Sequence, residues 1–225
     1  MLPLYDNIPH RRQPWVNYLI IAACVVVYLF QLADPGLVES LAFRPAFLQA
    51  HHGESLPAGR IVLSAVATMF MHGGLLHLLF NMWFLWIFGD NVEDVMGLPR
   101  FLLFYLLSGL AAAGAQIATD PSSTVPMVGA SGAIGGVLGA YARMYPRAHV
   151  HTLIFLGFYV TTVAVPAMFM LGYFEDGMPI MGLPGCVMYA GTTIFDLILP
   201  RIAAGLEVSR ADIIAFGDIL LFHGI

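Results

Sequence analysis

Long apolar stretches, separated by short polar segments, run through most of this 225-residue chain. A helix needs roughly 20 apolar residues to cross a bilayer. Stretches of that kind predict six membrane-spanning helices, at about 15–33, 64–88, 101–118, 128–142, 152–174 and 186–206. Asp196 and Pro200 interrupt the sixth stretch, so its helix is the least regular of the six. The pattern predicts an all-α membrane protein built as a six-helix transmembrane bundle.

The segments outside these stretches divide the chain further. We expect residues 1–14 to form a polar cytoplasmic segment, 15–206 a transmembrane domain and 207–225 an atypical C-terminal tail. The polar N-terminal segment leads into the first span without a small-residue cleavage site. The first hydrophobic helix is therefore expected to stay in the mature protein as an anchor.

The arginines predict the orientation of the bundle. Arginine supplies all nine basic residues, and the proposed outer segments carry only Arg44 and Arg60. The inner segments carry the other seven: Arg11, Arg12, Arg100, Arg143, Arg147, Arg201 and Arg210. Basic residues accumulate on the cytoplasmic side of membrane proteins. Both termini are therefore predicted to be cytoplasmic.

Composition narrows the function classes. Apolar residues make up 59% of the chain, charged residues only 10%, and the mean hydropathy is +0.82, which excludes an ordinary soluble domain. A net charge of −5 without a basic stripe argues against nucleic-acid binding. Cys24 and Cys186 both lie in apolar surroundings and predict no disulfide framework.

The first outer loop, 34–63, is semi-apolar and could form either an interfacial helix or a solvated loop.

Ser131 is a candidate nucleophile, since it lies between Gly129 and Gly132 at the predicted start of the fourth span. A serine hydroxyl needs a neighbouring base and donors for the developing oxyanion. The glycines permit unusual backbone angles and close approach of a carbonyl group. A helix that begins here would direct free N–H groups toward that carbonyl group.

The same glycines have a packing interpretation. Gly132 and Gly136 form one G-x-x-x-G stripe, and Gly135 and Gly139 form a second. Such stripes let a neighbouring membrane helix approach closely. We expect the sixth span to be that neighbour.

His77 and Asn81 are a second candidate pair, because their i, i+4 spacing puts them on one helix face. An imidazole N–H and an amide N–H could donate to the same oxyanion. The alternative is a hydrogen-bonded helix–helix contact that serves stability alone. His51, His52, His72 and His77 lack the spacing of metal ligands, so we expect no metal and no cofactor.

Three segments together resemble the rhomboid intramembrane serine proteases: 71–82 (MHGGLLHLLFNM), 88–94 (FGDNVED) and 129–132 (GASG). The likeness covers roughly residues 15–173. The resemblance implies a six-helix bundle in a bacterial inner membrane, with a serine that cleaves the transmembrane helices of substrate proteins. It implies that Ser131 is the nucleophile, that His77, Asn81 and the Ser131 backbone N–H stabilise the oxyanion, and that Gly129 shapes that pocket. The fifth span would be the lateral substrate gate.

The chain departs from the family pattern at the general base. The family carries a histidine on the sixth helix, whereas 186–206 has none. The histidines after Ser131 are His149, His151 and His223; the first two are predicted on the cytoplasmic side, far from Ser131. This leaves His223 or Asp196 as substitutes and the base unassigned.

Two explanations of this departure stay open: a frameshifted or recombined C-terminus, or a genuine loss of activity. The alternative to a protease is therefore a catalytically inactive rhomboid-like protein that binds transmembrane helices. A small transporter or channel is a third reading, but the paired intramembrane charges and inverted repeats that it predicts are not visible.

Overall fold

The computed structural model describes residues 2–9, 11–48, 57–156 and 159–167. Its helices are α1 (Trp15–Ala33), α2 (Gly36–Leu41), α3 (Ala58–Thr68), α4 (Leu75–Phe84), α5 (Asp90–Met96), α6 (Leu98–Thr119) and α7 (Ser131–Met144). A 3₁₀ turn covers Pro45–Leu48, and a π-helical turn, Leu85–Gly89, joins α4 to α5. The strands are β1 (Leu2–Asp6), β2 (His149–Leu156) and β3 (Tyr159–Pro166), which form an antiparallel sheet in the order β1-β2-β3.

Within the described residues, three helices are long and apolar enough to cross a membrane: α1, the continuous helix Leu75–Met96 and α6. They confirm the first and third predicted spans and shift the second. Helix α3 ends at Thr68, and the chain then leaves the helical conformation until Leu75, directly after Gly73 and Gly74. Glycine disfavours a helix interior because it has the most backbone freedom to lose. The second span therefore begins later than predicted and continues to Met96.

The prediction of a fifth spanning helix at 152–174 is wrong over its described part. His149 pairs with Pro166, and Leu156 pairs with Tyr159, so β2 and β3 form an antiparallel hairpin. Strand β1 extends this hairpin into a sheet, with Leu2 opposite Leu153. Val and Thr recur in these strands and favour extended backbone, and a short apolar run does not by itself distinguish a strand from a helix. The sixth predicted span and the tail at 207–225 lie outside the described residues.

Hydrogen bonds from the 88–94 segment attach the N-terminal residues to one end of the helices. The Glu93 carboxylate accepts the backbone N–H groups of Val16 and Asn17 at 3.1 and 2.7 Å, in the first turn of α1. The Asp94 carboxylate accepts the backbone N–H groups of Arg11 and Arg12. Carboxylates at a helix N-terminus accept hydrogen bonds from its free N–H groups and interact favourably with the positive end of the helix dipole.

Asp6 connects β1 to the same end. Its carboxylate accepts the Tyr141 hydroxyl at 2.5 Å and the Asn91 side-chain amide at 2.9 Å. Tyr141 lies in the last turn of α7. The start of α1, the end of Leu75–Met96 and the end of α7 therefore meet beside the sheet.

Helices α6 and α7 pack through small residues. A Cβ atom at Gly136 would lie 2.2 Å from the Ser108 hydroxyl oxygen, and one at Gly132 would lie 2.5 Å from the Ala112 Cβ. Ser108 and Ala112 thus form a stripe on α6 that matches the Gly132–Gly136 stripe on α7. The neighbour of this stripe is the third predicted span, so the expectation of the sixth span is wrong for Gly132 and Gly136.

We expect Glu93→Ala to lower the free energy of unfolding by about 1–3 kcal/mol, since it leaves buried N–H groups at the start of α1 without acceptors. Thermal or denaturant unfolding in detergent measures the change. Glu39→Ala is the control, because that side chain is exposed. Equal losses for both variants would contradict the role of Glu93.

Gly136→Ala is expected to destabilise the protein by about 1–3 kcal/mol, because the new methyl group meets Ser108. Gly114→Ala, on an exposed part of α6 with open space around it, should be neutral or stabilising. Unfolding measurements on the two variants compare the effects directly. A harmless Gly136→Ala would exclude close packing at this point.

Candidate functional site

Ser131 is the first residue of α7 and is half-buried. Ala130, directly before it, is fully buried and accepts the first intrahelical bond, from the Ile134 N–H at 2.9 Å. The earliest N–H groups of a helix have no intrahelical acceptor and carry the positive end of the helix dipole. Ser131 therefore begins a helix, at the end where the backbone N–H groups lack intrahelical acceptors.

At Gly129, the Ser131 hydroxyl and the His77 imidazole lie close to the same point of the backbone. The Gly129 φ of +121° lies in a region that side chains disfavour, and the Gly129 N–H donates to the Thr68 carbonyl oxygen at 3.1 Å. A Cβ atom on Gly129 would lie 2.8 Å from His77 Nε2 and 3.7 Å from Ser131 Oγ. Only glycine allows this approach of α4 to the start of α7.

Asn81 follows His77 by one helical turn and is fully buried. Within the described ranges, neither its amide nitrogen nor its carbonyl oxygen has a hydrogen-bond partner. A buried amide without a partner costs stability. The described contacts therefore do not support the purely structural interpretation, in which Asn81 would bond a neighbouring helix.

His72 lies just before α4 and is hydrogen-bonded to Gln31 of α1. Its backbone N–H donates to the Gln31 side-chain oxygen, and the Gln31 amide donates to the His72 carbonyl oxygen, both at 3.0 Å. The buried His72 ring packs edge-on against the His77 ring, with 5.3 Å between centroids. The sequence indicated His72 only as a possible metal ligand. Its packing role was not predicted, since nothing in the local pattern indicates Gln31 as its partner.

Thr68 and Phe43 position the segment before Ser131, and neither role was predicted from the sequence. The Thr68 hydroxyl accepts the Phe43 N–H at 2.8 Å, while its carbonyl oxygen accepts the Gly129 N–H. The Phe43 carbonyl oxygen accepts the Met127 N–H at 2.8 Å. The chain at Phe43 is therefore bonded both to the end of α3 and to the segment that leads into Ser131. The sequence feature that could have indicated Thr68 is its position as a threonine at the end of an apolar helix.

The other sequence candidates lie elsewhere. His149 and His151 are in β2, beyond the far end of the 14-residue helix α7, which at 1.5 Å per residue is about 21 Å long. His51, His52, Asp196 and His223 lie outside the described residues. Over the described part of the chain, no three His, Cys, Asp or Glu side chains gather as metal ligands would.

The described helices include ones that are long and apolar enough to span a membrane, and a serine, an imidazole and a buried amide lie among them. These features define an integral membrane protein with a polar site. The model of the Rhomboid domain matches residues 60–191, more than half of the chain. The chain belongs to the rhomboid family.

Several relatives match shorter parts of the chain. It is 47% identical over 70 residues to the rhomboid protease GluP of Bacillus subtilis, a match that covers 31% of this chain and 13% of that protein. It is 39% identical over 79 residues to the putative rhomboid protease YdcA of the same organism, covering 35% of this chain and 39% of the relative. The human mitochondrial presenilin-associated rhomboid-like protein is 31% identical over 113 residues, or 48% and 29% of the two chains. Each match thus spans well under half of the relative.

Gly129→Ala is expected to lower the free energy of unfolding by about 1–3 kcal/mol, because alanine resists the positive φ and its Cβ would clash with His77. Gly59→Ala, in α3 with open space around it, is the matched control and should have little effect. Denaturant unfolding in detergent measures both. A Gly129→Ala protein as stable as the control would contradict the close contact.

Proposed function

We propose that this chain is an intramembrane serine endopeptidase that cleaves transmembrane segments of membrane-protein substrates. The observation that carries the proposal is the contact at Gly129, where the Ser131 hydroxyl and the His77 imidazole reach the same space at the start of α7. Membership of the rhomboid family and the proteases among its relatives support the same activity.

Each residue has a role in the proposed mechanism. The Ser131 hydroxyl attacks the substrate carbonyl carbon and gives its proton to a base, which passes it to the peptide nitrogen as that nitrogen leaves as an amine. Water then hydrolyses the acyl-enzyme to a carboxylic acid and restores the Ser131 hydroxyl. His77, Asn81 and the Ser131 backbone N–H donate to the oxygen that becomes negative. Gly129 keeps the pocket open for that oxygen. Across the part of the chain that the structure describes, the Asn81 amide nitrogen has no acceptor, and this supports its role, since a developing oxyanion would supply one.

The general base is not assigned to a residue. Among the sequence candidates, His223 lies outside the described residues, and the region 186–206 carries no histidine. This second fact favours the alternative function, a rhomboid-like protein that binds transmembrane helices without cleaving them.

The proposed setting is a bacterial inner membrane with both termini in the cytoplasm. The hydrogen bonds of Asp6, Glu93 and Asp94 support this orientation, because they gather one end of the spanning helices beside the sheet. Five of the seven arginines assigned to the inner side are found at that end: Arg11, Arg12, Arg100, Arg143 and Arg147. The proposed partners are transmembrane substrates and the lipid bilayer.

Covalent labelling tests the nucleophile. The purified chain should react with a fluorophosphonate probe, while Ser131→Ala should not react; gel fluorescence and peptide mapping measure the adduct. Asn81→Ala should slow labelling by about 10²-fold or more, because one oxyanion donor is lost. Ser108→Ala is the control, since this serine packs against α7 away from the proposed site.

The outcomes separate the two functions. Equal labelling of the wild-type and Ser131→Ala proteins would reject the nucleophile. If neither protein is labelled, and a transmembrane substrate co-purifies uncleaved, the helix-binding alternative is correct and the protease proposal is wrong.

A further inference from the structure

A cleft of about 440 Å³ opens where α1 begins and where α5 and α7 end. Its walls include Ile8, Arg11, Arg12, Asp94 and Tyr145. Because three helix ends border it, the cleft lies at the level where the apolar spans give way to polar residues. In a bilayer this is the level of the lipid headgroups.

The charges in the cleft suit an anion. Arg11 and Arg12 are exposed, and across the described residues neither guanidinium takes part in an ion pair. The Asp94 carboxylate already accepts the backbone N–H groups of both arginines, at 2.9 and 3.1 Å. This bonding fixes the backbone from which the two guanidinium groups project. Guanidinium groups bind phosphate through paired, charge-assisted hydrogen bonds.

Tyr145 adds a neutral donor to the wall of the cleft. Burial and the nearby Asp94 raise the pKa of its hydroxyl, while Arg11 opposes the shift. The phenol therefore keeps its proton at neutral pH and can donate to an anionic oxygen.

A second cleft adjoins the first and shares Arg12 and Asp94 with it. Trp15 forms part of its wall and is 61% exposed, and Leu19, one turn further along α1, is 66% exposed. An indole beside a basic residue is typical of the membrane–water interface. The apolar surface of α1 continues from there along the path that an acyl chain would take.

We propose that this cleft binds the phosphate group of an anionic phospholipid, with Arg11, Arg12 and Tyr145 around the phosphate and the acyl chains along Trp15 and Leu19. The site is separate from Ser131, which lies at the other end of α7, and it does not depend on the proposed protease activity. Bound lipid would tie the N-terminal segment to the inner leaflet.

The test uses native mass spectrometry of the full chain, released from detergent with phosphatidylglycerol or phosphatidylcholine. The wild-type protein should retain phosphatidylglycerol in preference to phosphatidylcholine. The Arg11→Gln/Arg12→Gln variant should lose about tenfold or more in apparent affinity for phosphatidylglycerol. The matched control is Arg143→Gln/Arg147→Gln, which removes the same charge at the same end of the helices from exposed residues outside the cleft wall.

The control variant should change the affinity by less than about threefold. Equal losses for the two variants would overturn the site in favour of a diffuse charge effect. Equal retention of the two lipids by the wild-type protein would also overturn it. A further arm offers millimolar inorganic phosphate without lipid: if the wild-type protein retains the free ion but does not retain phosphatidylglycerol, the cleft is a soluble-phosphate site and the lipid proposal is wrong. Circular dichroism and thermal unfolding confirm that each variant is folded.

Discussion

The buried carboxylate of Glu93 is the constraint on which the described arrangement depends. Only 3% of Glu93 is exposed, and a buried charge is tolerated only where it is hydrogen-bonded. Its partners are the first N–H groups of α1, so the start of α1 is fixed against the end of the helix Leu75–Met96. The π-helical turn adds to this attachment: the Asn17 amide donates to the Leu85 carbonyl oxygen, and Gly89 leaves room for the Asn17 side chain. A π turn frees carbonyl groups from the regular ladder, and Asn17 satisfies one of them.

The same helix pair is joined again at its other end, by the two hydrogen bonds between Gln31 and His72. Helix α1 therefore holds both ends of the element that carries His77 and Asn81, and this fixes the register of α4. Helix α7 is held in turn by Tyr141 at its end and by Gly132 and Gly136 against α6. The polar site thus lies between elements that are fixed independently of it. Such preorganisation would hold the hydrogen-bond donors of the proposed oxyanion site in position before negative charge develops.

Sequence alone predicted what hydropathy and short motifs encode. Helix α1 matches its predicted bounds, Ser131 begins its helix, and His77 meets the glycine before that serine. The sheet was not predictable, because β1 pairs with a strand about 150 residues later and its apolar hairpin looks like part of a spanning helix. The roles of Glu93, Asn17 and Gln31 were also missed. Their partners are distant in sequence, and local patterns identify a polar residue without identifying its partner.

The Asn81 amide bears on the choice between a ligand site and a packing contact. A polar pair kept for stability would satisfy its own donors and acceptors, because each buried group left without a partner costs about 1–3 kcal/mol. Among the described residues, both polar atoms of Asn81 lack a partner, although α4 and α7 are otherwise closely fitted at Gly129. Stability would favour an apolar residue of similar size at this position. Under the proposed function, an oxyanion would accept from the Asn81 amide nitrogen, which satisfies the donor but not the carbonyl oxygen.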